Sequence, residues 1–310
     1  MVSRRNFMKT VGLGALAGPA MNAVGMHAAA AANVDGGADK TSQARLIPGC
    51  CAYSYNKELR QGGMALEDFI LKAVDLRLAA VDMTVYYLKS TEPKYLHDLR
   101  RLAYKHGVAF SGAACGVSMV QADAANRAES LKQIKKWIDV TDELGASHLR
   151  IFAGKLPAGS SLKDAIDWVV ECMKAACDYS GERGITLGVE DHDGVTQNAD
   201  PCLEIIQRVN SPYAGINLDI TNFISTPAQD AYAQIAACIP HATNIHIRDR
   251  FYDGTQVDMD RVWQIFAGAG HQGYVSAEYE ATFPDSLPAT TGVPKLVQEI
   301  QTLCKKYSSA

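Results

Sequence analysis

The chain has 310 residues, 47% of them hydrophobic and 21% charged, a balance that belongs to a folded globular protein rather than a disordered one. Thirty basic residues against 34 acidic ones give a net charge of −4, which excludes the basic excess of an electrostatic nucleic-acid binder. No run of 18 or more strongly apolar residues occurs, so the sequence offers no ordinary membrane span.

The chain opens with Ser3-Arg4-Arg5-Asn6-Phe7-Met8-Lys9, an arginine pair, a spacer and a Phe that match a twin-arginine export signal. Thr10 to Ala32 holds no Asp or Glu and ends in an Ala run with small-x-small cleavage sites. Residues 1–32 therefore read as a signal peptide, 33–45 as a polar linker, and 46–310 as one domain. Loss of the leader would leave 27 basic and 34 acidic residues, net −7, further from any anionic partner. The mature protein is expected in the periplasm or beyond, with the twin-arginine machinery as its export partner. Eight cysteines would suit disulfides there, but Cys50 and Cys51 are adjacent, Cys172 and Cys177 share a predicted helix, and no C-x-x-C occurs. Free thiols are expected.

Past the linker, short apolar runs alternate with longer segments of helical period. The expected strands are Ile47–Tyr53, Ala79–Thr84, Val108–Ala113, His148–Ala153, Ile185–Glu190, Ala214–Asp219, Thr243–Ile247 and Gly273–Glu278. The expected helices are Ala65–Leu76, Tyr95–His106, Asn126–Leu144, Leu162–Arg183, Pro201–Val209, Ala228–Ile239, Asp260–Gly268 and Pro294–Lys306. Several of these helices run into a Gly stop, at Gly107, Gly145 and Gly184. Eight strand–helix units in strict alternation, within fewer than 280 residues, predict a (β/α)8 barrel. The rival is an open doubly wound sheet, but the first unit lacks a G-x-G-x-x-G turn.

In such a barrel the chemistry sits at the C-terminal strand ends. Strands five to eight end at Glu190, Asp219, His246 and Glu278, spaced 29, 27 and 32 residues apart. Each spacing is close to one βα repeat, which places the four groups at equivalent heights on neighbouring strands. Three carboxylates and an imidazole form an oxygen-rich donor set suited to Mn²⁺, Mg²⁺ or Co²⁺, with Zn²⁺ also admitted. Side chains two apart share a strand face, so His192, Arg248 and Glu280 should stand just above Glu190, His246 and Glu278, where a substrate would lie. Tyr53, Tyr55, Tyr86, Phe110, Phe152 and Phe223 are expected near the strand ends, some of them walling the pocket.

The runs Val189-Glu190-Asp191-His192, Asp219-Ile220-Thr221-Asn222, His246-Ile247-Arg248-Asp249 and Glu278-Tyr279-Glu280 resemble the E-N-H, D-T-G-N, H-x-K-D and E-Y-E strand ends of the xylose isomerase-like sugar phosphate isomerase/epimerase barrels. The resemblance spans roughly residues 46–307 and is most specific over 185–280. It implies that Glu190, Asp219, His246 and Glu278 hold one divalent metal and that Glu190 and Glu278 are the acid/base pair. Asn222 and Tyr252 stand where tagatose epimerase-type members carry His and Arg. Asn222 joins His192, Arg248 and Glu280 as a substrate-contacting candidate.

These residues point to a metal-dependent sugar isomerase or epimerase, with manganese as the first expectation. Its proton abstraction next to a carbonyl would run through an enediolate. Export, and the lack of a Gly-rich phosphate cradle after strands seven and eight, favour an unphosphorylated or keto sugar. The same site admits a keto-glycoside lyase or dehydratase. A third reading is a non-catalytic carbohydrate-binding protein of the envelope. A multi-zinc nuclease would need more His and carboxylate ligands on the earlier strands. The sequence leaves open whether the protein is a monomer or a homo-oligomer.

Overall fold

Eight apolar runs pair in parallel and in sequence order, and the last returns to the first to close a barrel. In this computed structural model the strands are β1 Arg45–Cys51, β2 Ala80–Thr84, β3 Ala109–Ser118, β4 His148–Phe152, β5 Thr186–Glu190, β6 Ala214–Asp219, β7 Ala242–Ile247 and β8 Gln272–Ala277. Around them run α1 Asn56–Arg60, α2 Leu66–Asp75, α3 Pro93–Lys105, α4 Ala124–Leu144, α5 Leu162–Gly181, α6 Ala199–Val209, α7 Ala231–Cys238, α8 Met259–Gly268 and α9 Ala289–Tyr307. The structure describes residues 43–225 and 229–308. The Arg4-Arg5 motif, the Ala run and residues 33–42 of the expected linker lie outside them. Among the described residues no helix is long and apolar enough to cross a membrane.

The (β/α)8 architecture is the one the alternation predicts, with local departures. Arg45 already belongs to β1 and Ala44 is buried, so the end of the expected linker is part of the barrel. The short α1 adds a second helix to the first unit, which breaks the strict alternation. α9 begins five residues before Pro294, which lies inside the helix. A proline supplies no N–H and reads as a start, although here it sits past the first turn. β3 runs on to Ser118, so Phe110 stands near its N-terminal end, away from the mouth.

Local signals set the helix ends. Asp123, Ser161, Asp230 and Asp258 each accept a backbone N–H at a helix start, satisfying donors that otherwise lack a partner. Gly145 ends α4 with φ 77°, a conformation that costs glycine nothing.

The apolar core fills the shell between strands and helices, with Phe69, Leu96, Ile138, Trp263 and Phe266 fully buried. The barrel interior is instead strongly polar. Asp82, His148, Asn217, Asn244 and Ser276 are all buried there. The His148 ring lies where a Cβ at Gly188 would come within 2.5 Å of its Nε2, so the glycine makes room for the imidazole. Burial lowers the His148 pKa to about 4, so the ring is neutral near pH 7. All eight cysteines are free and buried, as their spacing led one to expect.

Candidate active site

Strand register decides how the four strand-end groups meet. Glu190 pairs with Asn217, Asp219 with His246, and His246 with Ser276. The register therefore steps up by two residues between β5 and β6, and again by two between β7 and β8, where Glu278 follows Ala277. The heights along the strands are not equal. Strand tilt absorbs the steps, as the shear of a closed barrel requires, and the four side chains still face one another.

The contacts record this convergence. Arg248 Nη2 lies 2.8 Å from Asp219 Oδ2 and 3.1 Å from Glu278 Oε2. His246 Nδ1 lies 3.3 Å from Glu278 Oε1. Asn222 Nδ2 donates to Glu190 Oε1 at 3.4 Å. Thr221 donates from its N–H and its hydroxyl to Asp219 Oδ1 at 2.9 and 2.8 Å. Glu190, Asp219, His246 and Glu278 are each at most 3% exposed.

The substrate-contacting candidates spread over the mouth. Glu280 Oε2 stands 3.5 Å from Arg248 Nη1. His192 turns its Nδ1 to Asp193 Oδ1 at 2.7 Å and packs its ring edge-on to Phe152 at 4.8 Å. It is a rim residue held by its own loop. Tyr53 and Tyr86 are part-exposed beside the site, whereas Tyr55 and Phe223 are buried in the shell core. Those two and Phe110 do not wall the pocket.

Five residues outside the sequence-derived set complete the site. Arg150, from β4, places Nε 2.8 Å from Glu190 Oε2 and its guanidinium 4.1 Å from the Phe152 ring centre. Asp82, from β2, reaches across the barrel, with Oδ2 3.2 Å from His246 Nε2. Asn244 donates to the same Oδ2 at 2.9 Å and to Asn217 Oδ1 at 2.9 Å. Cys51 donates from Sγ to Glu278 Oε1 at 3.6 Å. Asp191 Oδ1 accepts the Asp219 backbone N–H at 2.7 Å and so anchors the end of β6. A signal for Asp82 and Arg150 is present in the sequence. Each is a charge inside an apolar run, and a parallel barrel strand is buried on both faces, so such a charge must find a partner inside.

Burial and charge pull the carboxylates apart. Burial raises the Glu190 pKa, against the opposing pull of Arg150. Burial likewise raises Asp219, against Arg248. For Glu278 burial is outweighed by His246 and Arg248, and the carboxyl falls well below its usual range. His246 is raised well above the usual imidazole value because Glu278 and Asp82 outweigh its burial. The cluster thus holds one carboxylate kept firmly ionised, Glu278, and two with a raised appetite for a proton, Glu190 and Asp219, a kind of division found at acid/base sites.

Two buried oxygens test the fit to a metal. Glu190 Oε2 and Asp219 Oδ2 touch arginine nitrogens, yet neither accepts a hydrogen bond of acceptable geometry. Buried carboxylate oxygens without donors are costly, and coordination to a cation would satisfy both. The donor set suits a hard or borderline divalent ion. Among the described residues, the trio with ligand atoms already within 4.8 Å of one another is Cys51, Asp82 and His246, which shares only His246 with the expected four.

A family model described as xylose isomerase-like TIM barrel matches residues 71–303. No curated protein matches the sequence at a significant level. Among solved structures, a D-psicose 3-epimerase from Clostridium cellulolyticum H10 superposes with TM-score 0.70 at 11% identity, over 85% of this chain and 100% of its own. A D-allulose 3-epimerase from Methylomonas sp. gives TM-score 0.68 at 16% identity, over 84% and 98%. An IOLI protein with a bound zinc atom gives 0.67 at 14% identity, over 85% and 100%. At these identities the structural likeness concerns the fold.

Proposed function

The chain belongs to the xylose isomerase-like TIM barrel family, and from that premise we propose that it is a divalent-metal-dependent isomerase or epimerase of an unphosphorylated or keto sugar. One observation carries the reading. Two buried glutamates from different strands, Glu190 and Glu278, face the same mouth with opposite pKa displacements and separate counter-charges. Zinc in one protein of similar fold, and sugar 3-epimerases among the others, support the reading.

Glu190, Asp219, His246 and Glu278 would hold the ion, with manganese the first expectation and magnesium, cobalt and zinc the alternatives. When bound, the ion supplies a Lewis acid that makes a carbon acid next to a carbonyl easier to ionise. The chain's own residues do the rest. Glu190, whose burial favours its protonated form, accepts the proton from the substrate carbon. The proton that Glu190 then holds is the one available for return to carbon, and Glu278, kept ionised, faces the same space as the second carboxylate of the pair. Arg248 and Glu280 present a donor and an acceptor to sugar hydroxyls at the mouth, and Asn222 holds Glu190 in line. Phe152 and Tyr86 cover the Arg150–Glu190 pair and keep water from it. Asn222 and Tyr252 stand in place of the His and Arg of tagatose epimerase-type enzymes, so the preferred sugar is expected to differ from theirs.

The test is solvent exchange. Protein reconstituted with each metal is incubated in D2O with free ketoses and with 3-keto-glycosides, and the products are read by NMR. The expected result is isomer carrying deuterium at one carbon next to the carbonyl. Tight sugar binding without exchange would reject an enzyme, and release of aglycone would make it a lyase. We also infer export through Arg4 and Arg5. Replacing both with Lys should leave full-length precursor in the cytoplasm, and an unchanged distribution would reject the signal.

A further inference from the structure

The mouth of the barrel carries a cation of its own. Arg248 is only 8% exposed, and a single nitrogen, Nη2, touches both Asp219 Oδ2 at 2.8 Å and Glu278 Oε2 at 3.1 Å. These are two of the carboxylates assigned to the metal in the proposed function, on which this inference rests. A divalent ion would bind such oxygens at about 2.0–2.6 Å. A guanidinium nitrogen about 3 Å from the same oxygens and the ion would then be two like charges in close contact in a buried space, which is strongly unfavourable. Both cannot hold Asp219 Oδ2 and Glu278 Oε2 at once.

The same side chain has a second berth. Its other terminal nitrogen, Nη1, is 3.5 Å from Glu280 Oε2, a carboxylate further toward the mouth, and its guanidinium stands 5.9 Å from the Tyr252 ring centre. A small rotation would trade the inner pair for the outer one and keep the charge neutralised. We propose that Arg248 and the divalent ion compete for Asp219 and Glu278, and that metal binding drives the guanidinium outward onto Glu280. Arg248 then sets the affinity of the metal site, and loading the ion delivers a donor to the place where substrate oxygens would lie.

The experiment uses the full-length protein, chelator-treated and titrated with Mn²⁺ by calorimetry, with thermal melting alongside. Arg248→Gln removes the competitor, so it should bind Mn²⁺ about tenfold tighter or more, the scale of an ordinary coupling between two sites. It should also melt lower than wild type before metal is added, because two buried carboxylates lose their counter-ion, and gain more from the metal. Glu280→Gln removes the outer berth and should bind Mn²⁺ more weakly than wild type. A crystal structure of the Mn²⁺-loaded wild type should show Arg248 on Glu280. Unchanged or weaker binding by Arg248→Gln overturns the proposal, as does a loaded structure with the guanidinium still on Asp219. Should Arg248→Gln not fold, Glu280→Gln and the loaded structure decide. Mn²⁺ binding by Arg248→Gln alone would support the competition while removing the metal from the wild-type reaction. No binding by either protein would overturn competition and metal dependence together. Failure of the D2O exchange with the affinity shift intact would overturn only the enzymatic reading.

Discussion

The two halves of the barrel bring different chemistry to the same place. β5 to β8 carry Glu190, Asp219, His246 and Glu278 at or just past their C-terminal ends, with the side chains facing the mouth. β1 to β4 bring Cys51, Asp82, His148 and Arg150, which sit within the barrel, and three of them touch the first group. Arg150 meets Glu190, Asp82 meets His246, and Cys51 meets Glu278. In the proposed function one half supplies the proton-exchanging and cation-holding groups, and the other sets their charge and orientation. A cluster of carboxylates in a low-dielectric space is stable only with such partners.

If that division holds, the largest effect should come from the mouth. Glu190→Gln keeps shape and removes the base. Exchange of substrate hydrogen with D2O is expected to fall by about 10²–10⁴, with the native fold retained by circular dichroism although the denaturant midpoint falls as Arg150 loses its counter-ion. Turnover near the wild-type rate would take Glu190 out of the chemistry.

Arg150→Met attacks the supporting half. It leaves a fully buried Glu190 charge without its closest counter-ion, and breaking one side of a buried pair typically costs about 3–5 kcal/mol. Urea unfolding should show a loss of that order. A loss under about 1 kcal/mol, the level of an exposed pair, would mean that Glu190 has another partner in solution.

His148 gives a pH test of the interior. Its pKa is about 4 in the folded protein against the ordinary imidazole value of about 6.5. The unfolded chain therefore takes up its proton first, and stability falls as pH drops from about 6.5 to about 4, by up to about 3 kcal/mol for this one group. Above that window the contribution is complete. His271, whose pKa burial also lowers to about 4, adds a second proton to the slope. His148→Asn should flatten the stability curve between pH 7 and 4.5 by about one proton. An unchanged slope would place the ring in water.

The smallest effect tests orientation alone. Asp82→Asn keeps the size of the side chain and weakens its hold on His246 Nε2. The loss of a partner to a metal-binding histidine typically costs about 10–100-fold in metal affinity, measurable by calorimetry with Mn²⁺. A complete loss of binding would instead make Asp82 a ligand, together with Cys51 and His246.

The fold was legible because its signals are local. Apolar runs of strand length, helical period and Gly stops depend on neighbours within a few residues, and seven of the eight strands appear within two residues of their expected ends, β3 being the exception. The end of the long β3 was hidden because Gly116 interrupts its apolar pattern beyond the expected end at Ala113. The strand-end groups of β5 to β8 were legible for the same reason. Each closes a run, and their spacing follows the repeat. The partners were not, because Asp82 and His246 lie 164 residues apart in sequence, and no local pattern links them.

What the sequence determined by itself is the order of the elements and the identity of the residues at the strand ends, since both follow from backbone periodicity and turn chemistry. Only the tertiary structure decided how those residues are charged and held. Closure of the barrel set the register steps that bring four unequal strand ends to one mouth. It also turned Arg150 and Asp82 inward as partners, and it put Arg248 between Asp219 and Glu278. The reason is physical. The charge state of a buried group is fixed by what lies within a few ångströms of it, and in a closed barrel those neighbours come from strands far apart in the chain.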